Sequence, residues 1–401
     1  QQTLTMETAV QLGLAQSPRL KMFQNSRAAA SGELRQAGVL RNPELYINSQ
    51  YLAASRAYRT INPRQTFYGL SEVVETGGKV SKREHIASSG VLIADLEYQA
   101  AALDLIHDIT IAYAEAVAAQ EGITLATEQK ELAKEMLDSI AARVNAAAAP
   151  LIQQNRAEVQ LSVAEIAYDK AVRDRESARK VLAALLGENK LSAVLTQKSF
   201  YSLTKPEKRP ATSLPETSPD LARQEQLLVQ SRQRLSLERA NALPDPRIDV
   251  GVTEINTTNG RALTVGLALP IPVFNANRGN IDTARYHVAR AEETKRETTY
   301  LLGVELEKAS QRMQNAYTQA TMLKTKIVPS AEKSFELARE GYLLGRFLYL
   351  DVLDTQRGLF EAKQQYIEAL REYHAAKAGV ERLTAKHLGL LATKGDTHAE
   401  E

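Results

Sequence analysis

The sequence contains no cysteine and no tryptophan, and only 5% of its 401 residues are aromatic. Without cysteine, the chain cannot form disulfides, thiolate metal sites or a cysteine nucleophile. This absence fits an oxidising compartment, where a free thiol is a hazard. The missing residues therefore exclude several site chemistries before any pattern is considered.

The sequence also lacks an excess of charge of either sign and lacks long apolar runs. Its 50 basic and 48 acidic residues nearly cancel, and no Lys/Arg block marks a nucleic-acid-binding surface, so we expect no nucleic-acid partner. No window approaches ~18 uninterrupted apolar residues, so we predict no transmembrane helix. Because no basic stretch followed by an apolar one opens the chain, we expect either a cytosolic protein or one whose signal peptide has been removed.

Motifs typical of enzymes are missing as well. We find no Ser/His/Asp arrangement and no nucleotide fingerprint, and "ETGGK" (75–79) lacks the first glycine and the Ser/Thr of a phosphate loop. The histidines do not occur at zinc-site spacing; they stand at positions 85, 107, 287, 374, 387 and 398. The sequence therefore predicts no enzymatic activity, no cofactor and no tight metal site.

Long helical tracts dominate what is present. Ala, Leu, Glu, Gln, Arg and Lys fill residues 79–145 and 279–344, and helices over 150–188 and 348–392 return from them. At 1.5 Å per residue, roughly 65 residues make a rod of ~100 Å. Helices of this length with alternating charges predict coiled-coil-like hairpins.

The chain also repeats itself at a spacing of about 200 residues. "LRQAGVLRNPELYIN" (34–48) matches "LERANALPDPRIDVG" (237–251), and "SPRL" (17–20) matches "SPDL" (218–221). Several matches in one order favour a duplicated half. We predict a first repeat over 1–189, a linker or equatorial segment over 190–217 and a second repeat over 218–401. Each repeat opens with a helix, the first of them over 5–38.

Two short alternating segments follow the first helix of each half. They lie at about 44–52 and 65–74 in the first repeat, and at about 247–255 and 262–270 in the second. Period-two alternation predicts strands with one apolar face and one small or polar face. Strands of 9–11 residues fit a tilted membrane span, with the apolar face toward lipid. Because four strands close no barrel, we expect a barrel to need several chains.

These features resemble a known family. The order of helix, two strands and long helical hairpin, given twice, is similar to the TolC-like outer-membrane efflux proteins. Its most specific pieces are "LALPIPVFNANRGNIDTARYHVARAE" (267–292) and "GYLLGRFLYLDVLDTQRGLFEAKQQY" (341–366). "EVVETGGKVSKREHIA" (72–87) is similar to the corresponding junction of the CzcC-like, heavy-metal branch.

The resemblance implies a mainly α fold with a small β part, in which three chains build a twelve-stranded outer-membrane barrel and a twelve-helix periplasmic tunnel. The homotrimer would contact outer-membrane lipid, a periplasmic adaptor (membrane fusion) protein and an inner-membrane pump of the resistance-nodulation-division (RND) type. It would act as a passive export duct, and the heavy-metal branch implies metal cations as the substrate. A duct for drugs or secreted polypeptides and a soluble coiled-coil scaffold are the alternatives.

Two aspartates stand out in the second hairpin. Asp351 and Asp354 lie three residues apart, on one face of a helix. The resemblance places them in carboxylate rings around the pore axis at the periplasmic tip, where such rings attract cations. The alternative is that they are helix-start residues favoured by the macrodipole.

The resemblance also implies a periplasmic gate. Tyr342 and Gly345 match the gate region, but Phe347 stands at the position of the family's arginine, with Arg346 beside it. In the first hairpin, Ile152 replaces the family's acidic partner and is followed by Gln153 and Gln154. We therefore expect the gate to depend on packing by Phe347 and hydrogen bonding by Tyr342.

The hairpin tips are the candidate adaptor contacts, since small residues let helices of two proteins approach closely. The alternative for the first tip is a compact helix–helix turn. The predicted contact residues are Ala146, Ala147, Ala148 and Ala149 in the first hairpin and Leu343, Leu344 and Gly345 in the second.

Overall fold

The computed structural model describes residues 3–52, 63–206 and 218–392. The loop 53–62, residues 207–217 of the predicted linker and residues 393–401 lie outside the described residues. The chain forms two compact units, and each draws on both halves of the sequence. The first unit comprises Gln1–Met22, Gln99–Pro219 and Tyr300–Glu401, and the second comprises Phe23–Tyr98 and Asp220–Thr299.

The described part of the chain is mainly helical with a few strands. In chain order the elements are β1 (Thr3–Leu4), α1 (Met6–Gln16), α2 (Pro18–Ala37), β2 (Glu44–Gln50), β3 (Gln65–Val73), α3 (Lys79–Asn145), α4 (Leu151–Leu186), β4 (Val194–Leu195), α5 (Pro219–Asn241), β5 (Arg247–Ile255), β6 (Gly260–Ala268), α6 (Arg278–Met322), a π-helical turn (Leu323–Ile327), α7 (Val328–Leu343), α8 (Tyr349–Leu383) and α9 (Gly389–Ala392). None of the helices in these ranges has a stretch long and apolar enough to cross a membrane.

Several element boundaries differ from those predicted, each for a local reason. The helix predicted over 5–38 breaks at Ser17, whose extended backbone (ψ 125°) is the conformation that a following proline favours. The strand predicted at about 44–52 ends at Gln50 because Tyr51 has a positive φ of 57°. The strand predicted over 262–270 begins earlier, at Gly260, which pairs with Ile255 across a turn where Asn259 has φ 49°.

The two long helices predicted in the second repeat also differ from the prediction. The tract 279–344 contains the π-helical turn Leu323–Ile327, which ends two residues before Pro329. Proline has no N–H and its ring clashes with the carbonyl four residues earlier, so a locally widened helix is expected there. The helix predicted over 348–392 ends at Leu383, because Ala385 takes a left-handed φ of 51°.

The four long strands form one antiparallel sheet of order β2-β3-β5-β6 in the second unit. The β3–β5 pair joins strands from the two sequence halves, with Tyr68 opposite Val252 and Leu70 opposite Val250. One face carries exposed apolar side chains in register: Leu45, Ile47, Tyr68, Leu70, Ile248, Val250, Val252, Leu263, Val265 and Leu267. The other face carries small and polar residues, and Thr253 and Thr264 share a hydrogen bond there.

The "ETGGK" element connects this sheet to α3. The side chain of Glu75 is buried and accepts hydrogen bonds from Arg41 (3.1 Å) and Arg83 (2.7 Å). Lys79 Nζ donates to Asp245 Oδ1 at 2.7 Å and to the Leu243 carbonyl at 2.8 Å. Burial alone would raise the pKa of Asp245, but the hydrogen bonds from Lys79 and residue 76 outweigh it and lower that pKa. The element therefore ties the start of α3 to the strand entry of the other sequence half.

In the first unit, the described part of the predicted linker is packed against helices. Leu191, Leu195 and Phe200 are buried, and β4 pairs in parallel with β1. The Tyr113 hydroxyl donates to the Leu4 carbonyl (2.9 Å) and accepts from the N–H of residue 196 (3.1 Å). Residues 191–200 thus contribute to the core of this unit.

Candidate functional site

Both hairpin tips lie in the first unit and end their first helix in the same way. After α7, Gly345 has φ 74°, its N–H donates to Tyr342 O (2.9 Å), and Arg346 N–H donates to Gly341 O (2.8 Å). These two bonds form a Schellman motif, which satisfies the last helical carbonyls.

The first hairpin makes the same pair of bonds without a glycine. Ala147 has φ 56°, its N–H donates to Val144 O (2.9 Å), and Ala148 N–H donates to Arg143 O (2.8 Å). The first tip is therefore a compact turn, as one of the two sequence interpretations expects. Its residues Ala146, Ala147 and Ala148 are exposed, as are Leu343, Leu344 and Gly345 at the second tip. Contact with an adaptor stays a prediction.

Asp351 lies in the first turn of α8, where its Oδ2 accepts a hydrogen bond from Leu348 N–H at 2.9 Å. Asp351 thus caps the N-terminus of α8 and satisfies one of the backbone N–H groups that have no partner within the helix. Asp354 lies one turn further along and is exposed like Asp351. Both carboxylates therefore face solvent in the single chain, and their arrangement as a ring stays a prediction.

Tyr342 is the most connected of the predicted site residues. Its side chain is buried, and its hydroxyl donates to Gln153 Oε1 of the first hairpin at 3.1 Å. The Arg143 guanidinium lies 4.8 Å from the Tyr342 ring centroid, and the Tyr349 ring lies at 5.8 Å. We call Arg143, Gln153, Tyr342 and Tyr349 the tyrosine cluster; it joins the two hairpins behind their tips.

Burial shapes the chemistry of this cluster. It raises the pKa of Tyr349 to about 12, with a smaller contribution from Tyr342, so the phenol stays protonated at neutral pH. The surrounding core includes Met136, Ile140 and Phe335. The cluster is thus a neutral hydrogen bond and a cation–π contact embedded in apolar packing.

The remaining predicted residues are less connected. The Phe347 ring lies over Gly341, where an added Cβ would come within 2.2 Å of the ring, yet half of its side chain stays exposed. Arg346 is exposed, and within the described residues no ion pair joins it to Asp351 or Asp354. Phe347 therefore packs on Gly341 of its own hairpin.

Sequence reasoning missed Arg143. The only local signal was a basic residue in the last turn of α3, a position that is common for dipole reasons alone. Gln153 was noted only as the residue after the replaced acidic position Ile152, and the structure shows that it accepts a hydrogen bond from the Tyr342 hydroxyl. Within the described ranges, no three carboxylate, histidine or cysteine groups come together as a metal site.

Comparisons with known proteins agree with this architecture. The family model described as "Outer membrane efflux protein" matches residues 212–386. The cobalt-zinc-cadmium resistance protein CzcC of Cupriavidus metallidurans is 27% identical over 96% of this chain and 90% of its own length. The nickel-cobalt-cadmium resistance protein NccC of Alcaligenes xylosoxydans is 26% identical over 71% of this chain and 64% of its own length.

A solved structure shows the same fold. The structure of CusC, a protein that forms a transmembrane channel, superposes on this chain with a TM-score of 0.80. The superposition covers 94% of this chain and 91% of CusC, at 18% sequence identity. At that identity the likeness concerns the fold. Together, the comparisons confirm the resemblance predicted from the sequence: this chain is similar to the TolC-like outer-membrane efflux proteins, and within them to the CzcC-like heavy-metal branch.

Proposed function

We propose that the protein is the outer-membrane export duct of a tripartite efflux system and passively conducts heavy-metal cations out of the cell. The observation that carries this proposal is the similarity to the cobalt-zinc-cadmium resistance protein along 96% of the chain. Such a duct needs no tight metal site, because tight binding would slow transit. We assign the protein no catalytic role.

The sheet supports a barrel built from three chains. Its exposed apolar face suits lipid, and its small and polar face suits a water-filled lumen. Within the described residues, β2 and β6 each pair with only one strand, which leaves two free edges per chain. We propose that β6 of one copy pairs with β2 of the next, so that three copies close twelve strands without an edge.

The hairpin tips form the proposed gate and docking region. Asp351 and Asp354, repeated three times around an axis, would place six carboxylates at the periplasmic end and favour cations over anions. The tyrosine cluster would hold the two hairpins of each chain together. The tips, 146–149 and 343–345, would contact the adaptor, and the inner-membrane RND-type pump would supply the energy.

Gene deletion tests the function. We expect a strain that lacks this gene to lose tolerance to cobalt, zinc, cadmium or nickel, and the native gene on a plasmid to restore it. Drug tolerance is measured in the same strains. Unchanged metal tolerance together with lost drug tolerance would contradict the heavy-metal assignment and favour a drug duct.

A further inference from the structure

A basic cleft in the first unit lies outside the hairpin tips. It is bounded by the C-terminal part of α4 and by residues 190–197, and its volume is about 710 Å³. Four of its lining side chains are cationic and one is anionic: Arg175, Arg179, Lys180, Lys190 and Glu176. A cleft with this excess of positive charge has a potential that attracts anions.

Arg179 is fixed in this cleft by the segment that follows α4. Its Nη2 donates to the carbonyls of Leu191 (2.7 Å) and Ala193 (2.8 Å). Because Nη2 carries two protons, both are used, and the guanidinium plane is held by the backbone. Burial and the nearby charge of Arg175 lower the pKa of Arg179. The lowered pKa agrees with a cleft in which cationic groups lie close together and their charge is not fully neutralised by carboxylates.

Arg175 has unused hydrogen-bonding capacity in the same cleft. Its Nε is buried and has no hydrogen-bond partner within the described residues. Within the residues that the structure describes, none of the four basic side chains of the cleft forms an ion pair with a carboxylate within 4 Å. Several arginines elsewhere in this unit do form such ion pairs. A buried donor without an acceptor destabilises the folded chain, because its lost hydration is not replaced. An anionic oxygen at this position would remove that destabilisation.

We infer that this cleft is a binding site for an oxyanion group, a phosphate or a carboxylate. Arg175, Lys180 and Lys190 supply the charge, and Arg179 supplies a rigid wall. Neutral donors line the same cleft and could complete the coordination: Gln120, Ser192 and Gln197. An excess of positive charge would repel metal cations, so this ligand class is one that the proposed function does not include.

Isothermal titration of the purified, detergent-solubilised full chain with inorganic phosphate tests this inference, with succinate as a second titrant to separate the two oxyanion classes. Sodium chloride matched in ionic strength controls for screening. We expect saturable binding of at least one oxyanion. The double variant Arg175→Gln with Lys190→Gln should bind about tenfold more weakly or not at all, since it loses two charge-assisted contacts.

Arg173→Gln is the matched control, because Arg173 is exposed on the same helix but does not line the cleft. It should bind as tightly as the native chain. Absence of saturable binding to the native chain, or equal binding by the double variant, would overturn the inference. A double variant that loses trimer in the absence of any added oxyanion would also overturn it, because the cleft would then hold carboxylates of a neighbouring copy.

Discussion

At the residue scale, the helix cap formed by Asp351 is compatible with the cation-attracting role that the resemblance implies for this residue. Its carboxylate caps α8 through Leu348 N–H and is still exposed. The cap needs only an acceptor oxygen, whereas attraction of cations needs a negative charge. A substitution of aspartate by asparagine keeps the acceptor oxygen and removes the charge, so it can separate the helix cap from the attraction of cations.

We predict that Asp351→Asn combined with Asp354→Asn moves the cation-to-anion permeability ratio of the pore toward one. The amide oxygen introduced at position 351 can still accept from Leu348 N–H, so the helix start should be retained. Reversal potentials across planar bilayers in a salt gradient measure the ratio. Glu361→Gln, which changes an exposed acid further along α8, is the control and should leave it unchanged. Native selectivity in the double variant would exclude both aspartates from the pore lining.

The Tyr342 hydroxyl provides a second prediction at this scale. Tyr342→Phe keeps the ring beside Arg143 and Tyr349 but removes the hydrogen bond to Gln153. We expect a loss of about 1 kcal/mol in the stability of the first unit and more frequent channel opening. Denaturant unfolding and single-channel recording measure the two effects. Tyr349→Phe is the matched control, because the Tyr349 hydroxyl makes no hydrogen bond within the described residues. Equal effects of the two variants would contradict the role of the bond between Tyr342 and Gln153.

His374 makes part of the stability depend on pH. Its ring nitrogen Nε2 lies 2.8 Å from the Phe200 carbonyl, and the ring stacks on Phe200. Burial lowers the pKa of His374, and Lys377 lowers it further, against the opposing effects of the Phe200 hydrogen bond and of Glu381. The unfolded chain therefore binds more protons than the folded one below about pH 6.5, so stability falls as the pH falls through this range.

Melting temperatures between about pH 7 and pH 5 test this dependence. We expect the native protein to melt at lower temperature as the pH falls, and His374→Gln, which can still donate to Phe200, to show a flatter profile. His85→Gln, which changes an exposed histidine, should keep the native slope. Identical slopes for the native chain and His374→Gln would show that His374 does not couple stability to pH.

At the element scale, the two hairpin tips show how one backbone motif is made by different residues. Gly345 and Ala147 occupy the same left-handed position of a Schellman motif. A β-carbon in this conformation costs roughly 1–2 kcal/mol, and glycine avoids that cost. The sequence indicated both breaks, but the alanine run at the first tip did not indicate that one of its members has a positive φ.

We predict that Gly345→Ala destabilises the protein by about 1 kcal/mol and that Ala147→Gly stabilises it by up to about 1 kcal/mol. The midpoint of denaturant unfolding of the detergent-solubilised protein measures both. Ala149→Gly, where no positive φ occurs, should be neutral or slightly destabilising. Stabilisation by Ala149→Gly equal to that by Ala147→Gly would contradict the conformational explanation.

At the scale of the whole molecule, the proposed barrel depends on the exposed apolar face of the sheet. We predict that Val265→Arg costs about 2–4 kcal/mol if this side chain meets the middle of the bilayer, and that less protein reaches the outer membrane as heat-resistant trimer. Thr264→Arg, on the neighbouring residue and the opposite face, should reduce assembly less. Both are measured by membrane fractionation and unheated gel electrophoresis.

Equal assembly of the two arginine variants would contradict a lipid-facing role for this side of the sheet. A strong loss with Thr264→Arg alone would indicate that the small and polar face is the packed one. Since Thr264 shares a hydrogen bond with Thr253, a modest loss of about 1 kcal/mol is expected from that variant in any case.

Local patterns in the sequence predict the strand segments, the long helices and the breaks at the two hairpin tips, because alternation, helical composition, proline and glycine act over a few residues. The strand Arg247–Ile255 lies where alternation predicts it, and α3 begins and ends at the predicted residues. The resemblance to the efflux family was also readable from local motifs. The π-helical turn before Pro329 was not, since widening and kinking are both ways to accommodate a proline.

The contacts between residues far apart in the sequence depend on the three-dimensional arrangement of the elements. Lys79 pairs with Asp245 across 166 positions, and Tyr342 bonds to Gln153 across 189 positions. The β3–β5 pairing likewise joins the two halves of the chain. No local pattern encodes such pairs, because they depend on how whole elements lie against each other. For the same reason the basic cleft at Arg175 became visible only once residues 190–197 were seen to pack beside α4.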